Sequence, residues 1–178
     1  MAEQDFNLLA TTFRGAEHEA SSELFALLKS LGDEAPSVYA TKVSGLIACH
    51  TTLQPSAVVQ AIREKVQSEP WSVRYLLRLI PIERVVKTDL ESIRLAAEEL
   101  AGKIGENESF RITIDKRFTS LRSQEIISAV AKNIHRRVDL ENPDWVVMIQ
   151  VVGGRTGVSI LRPDEILSVS KEKRGVVS

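Results

Sequence analysis

The chain has 178 residues, 43% of them hydrophobic and 26% charged, with 23 Lys and Arg against 24 Asp and Glu. That balance belongs to a globular protein with apolar material for one core or two small ones, and it excludes a disordered, collagenous or uniformly basic chain. A single cysteine, Cys49, excludes an internal disulfide. The sequence shows neither a signal peptide nor a long apolar run, so a soluble, cytoplasmic protein is expected.

Phe6 to Phe13 reads as a first strand, ended by Arg14-Gly15. Ala16 to Leu31 follows as a helix with Ala20, Leu24, Leu27, Leu28 and Leu31 on one face and Gly32 in the stop position. Val38 to Val43 and Leu46 to His50, with Ser44-Gly45 between them, form a hairpin pattern. Pro55 suits a helix start, and Val58, Ile62 and Val66 align over Ser56 to Gln67. Trp71 to Ile80 returns as a strand. This βαββαβ order is the split ferredoxin-like arrangement. An α+β protein is therefore expected, with a ferredoxin-like N-terminal domain over residues 1–80, an apolar linker over residues 81–87 and a second domain over residues 88–178.

Thr88-Asp89-Leu90-Glu91 matches a capping box with Thr88 at the N-cap. The helix it opens buries Leu90, Ile93, Ala97, Leu100 and Ile104 and stops at Gly105. Phe110 to Lys116 alternates, with Phe110, Ile112 and Ile114 on one face and Arg111, Thr113 and Asp115 on the other, the period of a half-buried strand. From Ser123, read as an N-cap, Ile126, Ile127, Val130, Ala131 and Ile134 recur at helical spacing, with Glu125 in the first turn and Arg136 and Arg137 in the last. After the turn Asn142-Pro143-Asp144, the continuous apolar run Trp145 to Val152 suits a strand buried on both faces. Gly153 to Gly157 then reads as a turn into an antiparallel strand, Val158 to Leu161. The tail begins strand-like at Ile166 and frays from Lys171 to Ser178.

Charge is polarised along the chain. From Met1 to Ala35 seven acids accompany two bases, whereas from Arg111 to Arg137 seven bases accompany two acids. Lys116, Arg117, Arg122, Lys132 and Arg136 supply cations, the last two as a stripe one helical turn apart, with Arg111 in the strand and Arg155 at the later turn. Thr119, Ser120 and Ser123 supply hydroxyls at a helix start, and Phe118 is either a base-stacking residue or a core residue capping the sheet. A-form RNA is read through phosphates and 2′-hydroxyls by such groups, and unpaired bases by stacking.

Other chemistries fit less well. A phosphate loop at Gly153 to Gly157 needs a helix after the glycines, and a strand pattern follows. His18, His50, His135 and Cys49 are too few and too scattered for a metal site or a Cys–His nucleophile, so no metal and no cofactor is expected. Asp139, Glu141 and Asp144 read as turn formers rather than an acid–base pair.

Asp115-Lys116-Arg117-Phe118-Thr119-Ser120-Leu121, Ser123 to Ile127, Val138-Asp139-Leu140 with Pro143-Asp144, and Gly157-Val158-Ser159-Ile160 together resemble the THUMP domain. THUMP domains occur in RNA-modifying enzymes such as 4-thiouridine synthetases and certain tRNA methyltransferases and pseudouridine synthases. They also occur in stand-alone proteins similar to the tRNA acetyltransferase adaptor that helps make N4-acetylcytidine. The resemblance implies a THUMP-like second domain, tRNA gripped near its acceptor end, and Asp139 in a structural role. It further implies a non-catalytic adaptor that presents tRNA to a separate modification enzyme such as an RNA cytidine acetyltransferase. Two alternatives from other classes are a ferredoxin-like regulatory protein binding a small anionic metabolite and a small phosphate-handling enzyme using Lys116 and Asp115.

Overall fold

A computed structural model describes residues 5–176; Val177 and Ser178, the end of the expected frayed tail, lie outside the described residues. In chain order the elements are β1 (Leu8–Thr11), α1 (Glu17–Ser30), β2 (Ser37–Ala40), β3 (Leu46–His50), α2 (Pro55–Ser68), β4 (Arg78–Pro81), β5 (Arg84–Lys87), α3 (Leu90–Leu100), β6 (Ser109–Asp115), α4 (Ser123–Ala131), β7 (Arg137–Val138), β8 (Trp145–Val152), β9 (Arg155–Leu161), β10 (Leu167–Ser168) and α5 (Val169–Val176). The fold is mixed α/β, and among the described residues the strands make two five-stranded sheets. The chain divides into two compact units, one running to Pro81 and resuming at Glu165, the other spanning Ile82–Asp164.

In the first unit the antiparallel sheet has the order β10-β4-β1-β3-β2. Leu8 lies opposite Cys49, and Ala10 opposite both Ile47 and Leu79, so these five side chains share one face. That face meets Leu24 and Leu28 of α1 and Val58, Ile62 and Val66 of α2, which places both helices on one side of the sheet. Gly45, at φ +75°, turns β2 into β3 and accepts a hydrogen bond from the Thr12 amide at 2.9 Å.

The expected strand Trp71 to Ile80 is a correction. Pro70–Ser72 is a short 3-10 turn, Trp71 is exposed, and β4 begins only at Arg78. The reason is the Glu23 carboxylate, which accepts the backbone amides of Arg74, Tyr75 and Leu76 and so withdraws them from any ladder.

The division into units also departs from the expected boundaries at two places. Arg84–Lys87, inside the expected linker, is an ordered strand of the second sheet. Leu167 and Ser168 pair with Leu79 and Arg78, and α5 is tied to α2 through Arg63 and Glu172 at 3.1 Å, so the chain's end returns to the first unit.

The second sheet has the order β5-β9-β8-β6-β7, with β6 parallel to β7 and β8 and the remaining pairs antiparallel. α3 and α4 pack Ile93, Ala97, Leu100, Ile126 and Val130 onto Val147, Ile149, Val151, Val158 and Ile160. Phe110, Ile112 and Ile114 join that cluster as their alternation requires, and Val146 to Val151 is buried on both faces. Gly153, at φ +59°, and Gly154 close the β8–β9 hairpin; a strand follows them, so the glycines hold no helix start for a phosphate.

Three helix limits differ from expectation. Asp89, not Thr88, caps α3 by accepting the Ser92 amide at 2.7 Å, while Thr88 bonds the buried Thr156 hydroxyl at 2.8 Å. Arg122 occupies the N-cap of α4, so Ser123 is its first helical residue; Glu125 accepts the Arg122 amide at 3.0 Å, the carboxylate half of a capping box. α4 ends at Ala131 rather than running to Arg137, because Ile134 turns into the core and Arg137 and Val138 pair with β6 as β7. No helix among the described residues is long and apolar enough to cross a membrane.

Candidate nucleic-acid interface

Parallel pairing decides which residues meet. Asp115 lies opposite Gln150, so β6 and β8 end at the same rim of the sheet, and β5, with Lys87 opposite Arg155, ends there too. α3 and α4 both start at this rim and run back along the sheet. The rim therefore collects the β6–α4 loop, the β8–β9 hairpin and two helix N-termini, which carry partial positive charge.

Seven of the ten predicted residues come together here: Lys116, Arg117, Phe118, Thr119, Arg122, Ser123 and Arg155. The loop is held at several points. The carbonyl of Arg117 accepts the Gly153 amide at 2.8 Å, and Nη1 of Arg117 donates to Oε1 of Gln150 at 2.9 Å. Lys116 Nζ donates to the Leu121 carbonyl at 3.3 Å, and Thr119 Oγ1 accepts the Leu121 amide at 3.2 Å. Leu121 itself packs against the core. Phe118 is the residue left pointing outward, 73% exposed, so it does not cap the sheet as a core residue.

The other three lie at the opposite rim, about 13 Å away along α4 at 1.5 Å per residue. Arg111 Nη1 donates to the Leu140 carbonyl at 2.9 Å. Arg136 stands beyond the helix end and donates from Nε to the Ile104 carbonyl at 3.1 Å, so no Lys132/Arg136 stripe exists. Lys132 is the exposed residue at the C-cap of α4.

Lys87 falls in the linker expected from sequence, yet it is exposed on β5 directly across from Arg155 and so joins the cations at this rim. The signal was there as a short Val-Val-Lys alternation before a helix cap, but its partner strand is about 70 residues away.

The acids near the rim are engaged by the protein. Asp89 caps α3, which holds its carboxyl below the usual range; Glu125 takes the Arg122 amide; and Asp115 Oδ2 accepts from Gln150 Nε2 at 2.7 Å. Hydrogen bonding leaves these carboxylates charged, so the rim carries both signs, with exposed Lys87, Lys116 and Arg122 set among helix starts and hydroxyls of the kind that favour phosphate. Asp139 accepts the amides of Glu141 and Asn142, and Asp144 accepts the Ser109 amide at 2.8 Å, the work of turn formers. Among the described residues no three His, Cys, Asp or Glu side chains group as metal ligands.

Comparison with known proteins adds to this geometry. The chain is 34% identical over 110 residues to an uncharacterized protein of Methanocaldococcus jannaschii, a match covering 56% of this chain and 31% of that protein. Its fold is similar to that of PH1313 from Pyrococcus horikoshii, with a TM-score of 0.69 and 17% identity over 91% of this chain and 55% of that one. It is also similar to TrmN from Thermus thermophilus, with a TM-score of 0.59 and 21% identity over 90% and 47% of the two chains. A 4-thiouridine synthetase solved with RNA and ATP matches with a TM-score of 0.50 and 14% identity over 92% and 42%. The chain thus spans about a third of the curated relative and about half of these structures, and the structural likeness is one of fold. The THUMP domain family matches residues 87–161, the stretch that contains the loop, the hairpin and both helix starts. Residues 87–161 of this chain are a THUMP domain.

Proposed function

We propose that this chain is a non-catalytic tRNA-binding protein that presents tRNA to a separate modification enzyme, such as an RNA cytidine acetyltransferase. A THUMP domain implies RNA binding. The observation that carries the reading is the gathering of Lys87, Lys116, Arg122, Thr119 and Ser123 at one rim, beside the start of α4. Phosphates are met there by exposed cations, hydroxyls and helix amides, the groups that position a protein on a nucleic-acid backbone. We read the first unit as ferredoxin-like, on the strand order β4-β1-β3-β2 with both helices on one face.

The test is a titration with deacylated tRNA, intact and with its 3′ end trimmed, at several salt concentrations. Micromolar or tighter binding that weakens with salt and with trimming supports the reading. Absence of binding to either RNA at low salt moves the assignment to the regulator of a small anion. The adaptor role is tested separately, by whether a purified acetyltransferase modifies the tRNA only when this chain is added.

A further inference from the structure

Two large aromatic side chains stand in solvent at one end of the first sheet. Phe13 is 56% exposed on the β1–α1 turn, and Trp71 is 72% exposed on the loop between α2 and β4. Both loops and the β2–β3 turn leave the sheet at this end, because Thr11 lies opposite both Leu46 and Arg78. The three loops are also fastened to one another. Thr12 Oγ1 donates to the Tyr75 carbonyl at 2.8 Å and the Thr12 amide to the Gly45 carbonyl at 2.9 Å, while Glu17 Oε1 accepts the amides of Gly15 at 3.2 Å and Gly45 at 2.9 Å. Glu23 holds the amides of Arg74, Tyr75 and Leu76, and Lys173 of α5 donates to the Val73 carbonyl at 2.6 Å. The rings are thus carried on an ordered platform, yet neither joins the core beneath it.

We propose that this end of the first unit docks a protein, the separate modification enzyme, with Phe13 and Trp71 as its anchors. The proposal rests on the adaptor reading above and gives that reading a surface. The charges select a protein over RNA. Arg14, Lys42 and Arg74 are exposed here, but the carboxylates of Glu17, Glu19, Glu23 and Glu69 are interleaved with them, whereas a nucleic-acid backbone calls for an excess of cations. Aromatic and arginine side chains together are what protein interfaces concentrate, and on a platform already ordered they lose little freedom when covered. The chemistry of the partner follows from which charges face outward. Glu17 and Glu23 are partly covered and turned onto backbone amides, while the three cations are exposed, so the complementary surface offers two apolar pockets flanked by carboxylates.

The two tryptophans of the chain supply the reporter. 5-Fluorotryptophan gives one fluorine resonance for exposed Trp71 and another for Trp145, which is held by Glu108 and Arg162. The probe is a purified RNA cytidine acetyltransferase, unlabelled and free of RNA. It should bind the full chain and move the Trp71 resonance. Phe13→Ala and Trp71→Ala should each weaken that binding about 10- to 100-fold, with the thermal midpoint and the tRNA affinity unchanged. Trp71→Phe, which keeps an anchor, should recover most of the loss, and Arg74→Glu should weaken binding more at low salt than at high. If the enzyme binds the wild-type protein and the Phe13→Ala/Trp71→Ala double variant alike, the docking surface is wrong while the adaptor reading stands. If the enzyme does not bind the wild-type protein, the adaptor reading fails and takes this proposal with it. If tRNA alone moves the Trp71 resonance, this end of the unit belongs to RNA and the proposal is overturned.

Discussion

Arg117 and Gln150 are joined across the rim, Nη1 to Oε1 at 2.9 Å, and Gln150 is completely buried. A residue that sequence marks as a phosphate contact thus also satisfies a buried group, which separates it from its neighbour Lys116, whose 3.3 Å hydrogen bond to the Leu121 carbonyl is exposed.

Removing the two cations should therefore have different consequences. Lys116→Ala is expected to leave stability within about 0.5 kcal/mol. It should weaken tRNA binding about equally for every sequence and reduce the salt slope by about one. Arg117→Ala leaves a buried amide oxygen without that partner and should cost about 1–3 kcal/mol of folding stability. Urea denaturation beside salt-dependent titration separates the two. Equal stability of both variants would overturn that role of Arg117.

Glu108 gives a pH signature. Its carboxyl accepts from Trp145 Nε1 at 3.0 Å, from the Gly105 amide at 2.8 Å and from Arg162 Nη1 at 2.9 Å, and these hold its pKa down to about 2 from an ordinary 4.5. Arg162 in turn lies 3.9 Å over the Trp145 ring. A carboxyl depressed in the folded state stabilises above its unfolded pKa, so this contribution is full above about pH 4.5 and is lost as the pH falls towards about 2. Glu108→Gln should flatten the stability profile in that window and leave the profile above pH 6 parallel to wild type. Acid titration of the denaturation midpoint measures it, and an unchanged slope would count against the carboxylate's role.

Gly45 should tolerate no side chain. Besides its φ of +75°, a Cβ there would stand 2.7 Å from the Thr12 carbonyl oxygen, a backbone atom fixed in the sheet's continuation. Gly45→Ala is expected to cost about 2 kcal/mol or more, combining the left-handed penalty with displacement of that backbone. Gly102, with open space around it and no positive φ, is the contrast: Gly102→Ala should be neutral or stabilise by up to about 1 kcal/mol. Thermal melts of both variants decide whether space or mere glycine content matters.

Thr88 supports the rim from beneath through the fully buried hydroxyl of Thr156. Thr88→Val keeps the shape and removes the partner, so it should cost about 1–3 kcal/mol, whereas Thr88→Ser should recover most of the loss. A capping role for Thr88 predicts a different result, fraying at the start of α3, which amide exchange of Leu90 to Ile93 would detect.

Local periodicity settled most of what the sequence could settle. The alternation at Phe110, Ile112 and Ile114, the helical spacing of Leu24, Leu27 and Leu28, and the glycine turn before Arg155 each report one element from its own residues, and those elements stand. The cations of the β6–α4 loop were legible for the same reason, because six of the seven gathered residues lie within eight positions of one another. What pairs with what was not local. Parallel alignment of β6 with β8 placed Arg155 beside that loop, pairing of β5 with β9 brought in Lys87, and pairing of β10 with β4 returned the chain's end to the first unit. Ion and hydrogen-bond partners followed from that assembly: Glu23 took three amides from a would-be strand, and Arg136 took the Ile104 carbonyl instead of facing solvent. A side chain's type is written in sequence, but whether its charge is spent on a carbonyl or left for a ligand depends on which distant backbone folding brings within 3 Å.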